Sequence, residues 1–183
     1  RGFDRVAVWG RGVDSARFSP HKASRQVREQ LGIDADEVVF LYCGRLAAEK
    51  NLGMLVEAFK KLEHLKARLL MIGDGPMLNR LRNDCDHRVI FVGYRHGEEL
   101  ARFYAAADVM AFPSLSDTFG NVMLEAMASG LPVIGFDVPG PKDIVQHGHT
   151  GELAPAVSAQ ALYETMKRFF KDAEYRRMLG QNA

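Results

Sequence analysis

Two carboxylates stand eight residues apart in the segment SDTFGNVMLE at positions 116–125. Asp117 lies among small and polar residues, whereas Glu125 lies in an apolar stretch that continues to position 128. Charged groups are seldom buried unless something pairs with them. One explanation of Glu125 is a carboxylate that accepts hydrogen bonds from ligand hydroxyls, as on a ribose or a hexose. The other is a buried glutamate that pairs with an arginine inside the fold.

The same segment carries the signals of a helix and its ends. Asn121 is predicted as the N-cap, and Gly130 is predicted to end the helix after position 129. Glu125 then lies about one turn inside the helix. We expect the backbone amides of Gly120, Asn121 and Val122 to point to the same place as its carboxylate.

Two cations follow a glycine in the segment GRLAAEKN at positions 44–51. Gly44 turns the chain where a strand is predicted to end, and Arg45 and Lys50 lie near the start of the next helix. Backbone amides, the helix dipole and two whole charges together suit an anion. The alternative is that both side chains are solvated loop residues. The segment is not a Walker loop, because the Lys-Ser/Thr pair is absent.

Two further glycine turns follow predicted strand ends. In GDGP, Gly73, Gly75 and Pro76 form a compact strand-to-helix turn, which ordinary turn chemistry explains without a ligand. In GYRH, Gly93 is followed by Tyr94, whose ring offers an apolar face to a nucleobase or forms part of a rim. The histidines do not have metal-ligand spacing with a carboxylate, so neither a metal nor a cofactor is predicted.

Strand and helix patterns alternate along the chain and place these segments. Five apolar runs, at 38–43, 68–72, 89–92, 109–112 and 132–136, are nearly continuous, as in parallel strands covered on both faces. Amphipathic stretches at 24–31, 51–65, 77–83, 97–108, 121–129 and 158–171 predict helices, with a last helix at 174–179. The prediction is an α/β fold with an open, doubly wound parallel sheet. Ligands bind such sheets outside the carboxyl ends of the strands. The three glycine turns and the segment with Asp117 and Glu125 all follow predicted strands and so lie at those ends.

The composition narrows the class of protein. The chain has 183 residues, and its 24 Lys+Arg nearly cancel its 23 Asp+Glu, which argues against a nucleic-acid module. Two cysteines make no disulfide framework and fit a reducing compartment. No apolar run approaches the roughly 18–20 residues that cross a bilayer. We predict one domain over 1–183, and the start RGFDRVAVWG is interpreted as a cut inside a longer protein.

Taken together, these motifs resemble the C-terminal, donor-binding domain of GT-B glycosyltransferases of the retaining family-4 type, the glycosyl transferases group 1. The resemblance runs over 11–153 and rests on an ordered set of segments rather than on one of them. The segments are RGVDSARFSP, GRLAAEKN, LLMIGDGP, VIFVGYR, AAADVMAFPS, SDTFGNVMLEAMASGLPVIGFDVPG and HGHTGEL.

The resemblance implies a role for each candidate residue. Arg45 and Lys50 hold the diphosphate and stabilise the departing nucleotide without a metal. Glu125 binds the ribose hydroxyls and Asp117 binds the donor sugar. The remaining implied contacts are the amides of Phe119, Gly120 and Asn121 on sugar and phosphate, and the turns at Gly73, Gly75, Pro76, Gly93 and Tyr94 beside the base.

We therefore expect a Rossmann-like domain of a hexosyltransferase that uses a nucleotide-diphosphate sugar, with UDP or GDP as the nucleotide. Many relatives have Glu where this chain has Asp117, and Asp in this DTFG context gives slight support for a lipid or glycolipid acceptor. The N-terminal GT-B domain is interpreted as absent, so the chain alone is expected to be inactive. Membrane contact is expected only through that domain, and the localisation only as cytoplasmic or peripheral at the inner membrane face. The alternatives are a non-catalytic nucleotide-sugar-binding module and another GT-B enzyme such as a nucleotide-sugar epimerase.

Overall fold

A computed structural model describes residues 12–23, 25–115 and 120–183, in which six parallel strands form one sheet in the order β3-β2-β1-β4-β5-β6. The strands are β1 (Val38–Cys43), β2 (Ala67–Ile72), β3 (Val89–Gly93), β4 (Val109–Ala111), β5 (Val133–Phe136) and β6 (Gly151–Ala154). The order reverses between β1 and β4, where a crevice opens at the carboxyl edge of such a sheet.

Eight α-helices connect the strands or follow them in the described ranges. They are α1 (Arg25–Gln30), α2 (Leu52–Lys60), α3 (Leu78–Asp84), α4 (Gly97–Ala105), α5 (Asn121–Ala128), α6 (Pro141–Ile144), α7 (Ala159–Lys171) and α8 (Ala173–Asn182). Short 3-10 helices cover Pro20–Lys22 and Ala48–Lys50. None of the described helices is both long enough and apolar enough to cross a membrane.

The continuous apolar strands are explained by two cores, one on each face of the sheet. Alternate residues such as Phe40 and Leu69 face α2 and α7, while Leu41 and Leu70 face α4 and α5. Successive side chains of a strand point to opposite faces, so a central strand with both faces covered needs apolar residues throughout. The predicted fold class, an α/β doubly wound parallel sheet, is confirmed.

Three local features differ from the sequence predictions. β6 and α6 were not predicted, because each is only four residues long and carries charged residues. Asn121 is not the N-cap of α5. Gly120 takes that position with φ 56°, and Asn121 is the first helical residue. A positive φ is easy for glycine and strained for other residues, so Gly120 lets the chain turn sharply into the helix. Gly130, with φ 77°, follows the helix end as predicted.

Candidate functional site

A cleft of about 500 Å³ lies at the carboxyl ends of β1, β2 and β3, beside the first turn of α5. Six residues predicted for the site line it, namely Gly44, Arg45, Gly73, Tyr94, Val122 and Glu125. The other lining residues are Arg17, Phe18, Cys43, Ile72, Asp74, Arg95, His96, Gly97 and Leu100. Residues far apart in the chain therefore meet where ligands bind in this class of sheet.

The backbone of the turns at Gly44 and Gly73, which follow β1 and β2, forms a wall of the cleft. A Cβ on Gly73, whose φ is 133°, would lie 1.9 Å from the carbonyl oxygen of Gly44. The Gly44 amide donates to the Ile72 carbonyl at 3.0 Å, and the Gly73 amide to the Gly93 carbonyl at 2.9 Å. These contacts extend the sheet ladder into the turns. They explain why a side chain is excluded at Gly73.

Arg45 lies on the rim of the cleft with its side chain 67% exposed. Its guanidinium makes an ion pair with Glu49 at 3.6 Å, while its carbonyl accepts a hydrogen bond from the Tyr42 hydroxyl at 2.8 Å. The Arg45 backbone is thus fixed, and its charge lies exposed on the rim of the cleft. An exposed ion pair contributes about 0–1 kcal/mol, so a ligand phosphate can displace Glu49.

Lys50 is the last residue of the short 3-10 helix that follows Arg45. The next residue, Asn51, has a left-handed backbone with φ 53°, and its side-chain Nδ2 donates to the Pro113 carbonyl at 3.3 Å. This bond ties the loop after β1 to the segment after β4. Lys50 is therefore held at the β1–β4 switch point, beside rather than in the described lining of the cleft.

Glu125 projects from α5 into the cleft and is half-buried. Its Oε2 accepts a hydrogen bond from the Tyr104 hydroxyl at 3.0 Å. Burial raises the pKa of Glu125, and the Tyr104 hydrogen bond and the positive charge of Arg17 oppose that rise. One interpretation expected Glu125 to pair with an arginine inside the fold. The side chain that donates a hydrogen bond to it is instead a tyrosine.

Tyr104 and Cys43 form the apolar backing of Glu125. Tyr104 is fully buried, and its ring meets the Phe18 ring edge-on with centroids 5.4 Å apart. Burial, together with the neighbouring thiol and carboxylate, raises the pKa of Tyr104 well above its ordinary value. Burial raises the pKa of the Cys43 thiol to about 11. Both groups stay protonated near neutral pH, so the tyrosine acts as a hydrogen-bond donor.

Tyr94 is the exposed aromatic group of the cleft, with 71% of its surface accessible. It stacks on His96 with centroids 5.9 Å apart, and its carbonyl accepts from Arg95 Nη1 at 2.9 Å. The Arg95 guanidinium also pairs with Glu99 at 2.9 Å and lies over the Phe103 ring. Arg95 is thus occupied by the fold, whereas Tyr94 presents a ring to the solvent.

The remaining predicted residues flank the cleft rather than line its described part. They are Gly75, Pro76, Gly93, Gly120 and Asn121. Gly120 caps α5 and Asn121 is its first residue, and the amino end of that helix lies beside the cleft through Val122. Asp117 and Phe119 lie outside the described residues, so their predicted roles stay predictions. In the described ranges, no three His, Cys, Asp or Glu side chains converge as a metal site.

Sequence reasoning missed the residues that surround Glu125. Tyr104 was predicted only as part of the buried stripe of its helix, and Arg17 was not singled out. The signal for Tyr104 was its hydroxyl, since a tyrosine on a buried stripe needs a polar partner. The signal for Arg17 was weaker, because the segment before α1 has no periodic pattern.

A larger cavity of about 570 Å³ lies at the opposite edge of the sheet, between the end of α5 and α8. It is lined by small residues such as Ala128 and Gly180, with Asp108 and Arg176 at its margin. That edge carries the amino ends of the strands. Ligands of doubly wound sheets bind at the carboxyl ends, so the smaller cleft is the better candidate.

Known proteins are similar to this chain in sequence and in fold. The family model described as glycosyl transferases group 1 matches residues 23–183. A sulfoquinovosyl transferase of Arabidopsis thaliana is 34% identical over an alignment of 185 positions, which covers 98% of this chain and 36% of that protein. A GDP-mannose-dependent alpha-mannosyltransferase of Mycobacterium tuberculosis is 38% identical over 155 residues, which are 85% of this chain and 40% of that protein.

Among solved structures, Anabaena HepE in complex with UDP and glucose superposes with a TM-score of 0.82 and 26% identity. The match covers 93% of this chain and 49% of that protein. The chain therefore spans between a third and a half of the length of each of these three proteins.

Proposed function

Because the chain belongs to the glycosyl transferases group 1 family, we propose that its cleft binds the nucleotide part of a nucleotide-diphosphate sugar. The parent activity we propose is retaining transfer of a hexose from that donor to an acceptor hydroxyl. One observation carries the proposal. A half-buried carboxylate, Glu125, and an exposed cation, Arg45, line the same cleft, whose wall is made of glycine backbone.

The cation end of the cleft suits the diphosphate. Negative charge grows on the leaving phosphate as the bond to the sugar breaks, and fixed cations stabilise that charge. Arg45 offers a planar guanidinium to two phosphate oxygens, and Lys50 offers a compact charge from the same loop. Gly44 and Gly73 line the cleft without side chains, so a phosphate there would meet the backbone.

The carboxylate end suits hydroxyls. A negative carboxylate repels phosphate, but it accepts strong hydrogen bonds from two neighbouring hydroxyl groups, as a ribose presents them. Glu125 lies one turn inside α5 and lines the cleft, so its free acceptor positions are open to a ligand. We assign Glu125 to the ribose, and Tyr94 to one face of the base.

The sugar end is proposed at the amino end of α5. Its first amides, at Gly120, Asn121 and Val122, provide donors for sugar and phosphate oxygens. Asp117 and the amide of Phe119 complete this end as predicted residues. The HepE complex with UDP and glucose and the GDP-mannose dependence of the mycobacterial relative support a nucleotide-sugar donor of one of these two kinds.

The acceptor is proposed to bind outside this chain's cleft, on a further domain of the full transferase. The matched proteins are two to three times longer than the matched segment, which leaves room for such a domain. The lipid or glycolipid acceptor, the cytoplasmic location and the inactivity of the chain by itself remain proposals that depend on that domain.

Calorimetry on the 183-residue chain tests the donor site directly. UDP, GDP and ADP, and the corresponding glucose or mannose conjugates, are titrated into wild type and Arg45→Gln. We expect saturable binding of UDP or GDP, weakened about tenfold in Arg45→Gln because one charge-assisted contact is lost.

Arg80→Gln is the matched control. Arg80 is 77% exposed and makes an i,i+4 ion pair of 3.6 Å with Asp84, much as Arg45 does with Glu49, but it lies outside the cleft. We expect Arg80→Gln to bind as wild type does. The absence of binding by any nucleotide, or equal losses in the two variants, contradicts the proposed site.

A further inference from the structure

We propose that Tyr104 is a positioning residue for ribose recognition, which it achieves by holding the Glu125 carboxylate in one orientation. This inference rests on the proposed function, because it assumes that Glu125 receives the ribose. Tyr104 does not line the cleft, so it acts only through the carboxylate.

The geometry leaves the tyrosine hydroxyl with one strong acceptor. It lies 3.0 Å from Glu125 Oε2 and 3.4 Å from the Val122 carbonyl oxygen. A phenol has a single proton to donate, and a carboxylate is the stronger acceptor. The proton therefore goes to Glu125, and the Val122 carbonyl is a secondary contact at the limit of hydrogen-bond length.

The ring that carries this hydroxyl is immobilised by packing. Tyr104 is completely buried in the core on the α4 and α5 face of the sheet. Phe18 packs against it edge-on at an interplanar angle of 81°, and the Cys43 thiol interacts with its hydroxyl. Three separate segments of the chain therefore hold the donor, namely α4, the segment that carries Phe18 and the end of β1 at Cys43.

The consequence for a ligand is a division of acceptor positions. Tyr104 occupies one position on Oε2, which leaves the second position there and both on Oε1 for groups in the cleft. Two adjacent hydroxyls need two acceptors at fixed separation. A carboxylate that rotates freely loses entropy when it binds them, whereas one held by Tyr104 is organised before the ligand arrives.

A second tyrosine–glutamate pair shows what a purely structural contact looks like. The Tyr175 hydroxyl lies 2.6 Å from Glu152 Oε1, and Arg168 contacts the same oxygen at 2.5 Å. Glu152 is only 5% exposed and belongs to β6, away from the cleft. Glu125 differs because it is only partly buried and lines the cleft.

The test compares Tyr104→Phe with Tyr175→Phe, each of which removes only a hydroxyl from a tyrosine–glutamate pair. UDP and 2′,3′-dideoxy-UDP are titrated into both variants and wild type by calorimetry, with GDP and its dideoxy form as a second probe. We expect Tyr104→Phe to lose about tenfold in affinity for UDP and to retain its affinity for the dideoxy form. Tyr175→Phe should bind both as wild type does.

A pH series separates positioning from general loss of packing. The Tyr104 hydrogen bond lowers the pKa of Glu125, so its removal should move the midpoint of the pH dependence of UDP affinity upward. If Tyr104→Phe does not fold, 3-fluorotyrosine at position 104 preserves the shape and makes the hydroxyl a stronger donor. The midpoint should then move downward.

The outcomes distinguish this inference from the proposed function. If wild type prefers UDP to its dideoxy form and Glu125→Gln abolishes the preference, the ribose role of Glu125 holds. Should Tyr104→Phe then keep the full preference and the wild-type midpoint, the positioning role is overturned alone. If wild type shows no preference, the ribose assignment fails, and the positioning role fails with it.

Discussion

Replacing Glu125 with glutamine should weaken nucleotide binding and stabilise the empty chain at the same time. The substitution keeps the size of the side chain and an oxygen that accepts from Tyr104, and it removes the charge. Function and stability are expected to move in opposite directions, because the burial of the Glu125 carboxylate outweighs its contacts with Tyr104 and Arg17 and is costly to the fold.

The loss of binding follows from two hydroxyl contacts. Hydrogen bonds to a charged group contribute about 1.5–3 kcal/mol each, against about 1 kcal/mol for neutral ones. Neutralising the acceptor of two ribose hydroxyls should therefore cost about 2–3 kcal/mol, or roughly 30- to 150-fold in the dissociation constant of UDP or GDP.

The gain in stability has a defined pH dependence. Burial raises the pKa of Glu125 in the folded chain above its value in the unfolded chain. The unfolded state therefore ionises first as the pH rises, and the folded state loses stability until the pH exceeds the folded pKa. Glutamine does not ionise, so Glu125→Gln should melt higher than wild type at neutral pH. The difference should vanish at pH values below the unfolded pKa.

Thermal melts at several pH values, with calorimetry on the same samples, measure both effects. Glu152→Gln is the control, because Glu152 is buried with Arg168 and Tyr175 as partners. That variant should melt lower and bind nucleotide as wild type does. A lower melting temperature for Glu125→Gln at neutral pH, or unchanged nucleotide affinity, refutes the reasoning.

Three further predictions concern the scaffold, the far edge of the sheet and the thiols. Gly73→Ala should destabilise the chain by roughly 2–4 kcal/mol, seen as a lower denaturant midpoint, because its Cβ would overlap the Gly44 carbonyl at 1.9 Å. A wild-type midpoint contradicts that close approach. Asp108→Ala should lose roughly 1–3 kcal/mol by removing a 2.6 Å contact to the partly buried Arg28, yet leave the affinity of the folded fraction for UDP unchanged. Saturating UDP should slow alkylation of Cys43, which lines the cleft, but not that of Cys85, which does not; equal protection of both thiols would point to a global effect.

The strands and the loop that carries Arg45 and Lys50 could be predicted because their sequence signals are local. A continuous apolar run such as 38–43 fits a parallel strand covered on both faces, and Arg45 directly follows it. β6 was not predicted, because its four residues include Glu152, whose burial depends on Arg168 sixteen residues further on. Short elements are defined by pairing with neighbours, and the sequence pattern does not contain that pairing.

The environment of Glu125 could not be predicted for the same reason. Its partner, Tyr104, lies 21 residues earlier on a different helix. The helical period shows which side of α4 and α5 is apolar. It does not show which polar atoms meet when both helices pack on one face of the sheet, and neither does it place Arg17 or Phe18 over the cleft.

A structure of the chain with bound UDP or GDP would show whether the cleft between Gly44 and Glu125 holds the nucleotide. We predict the diphosphate beside Gly44 and Arg45, and ribose hydroxyls about 3 Å from the Glu125 carboxylate. A nucleotide bound instead in the cavity between α5 and α8, beside Arg176, would contradict it.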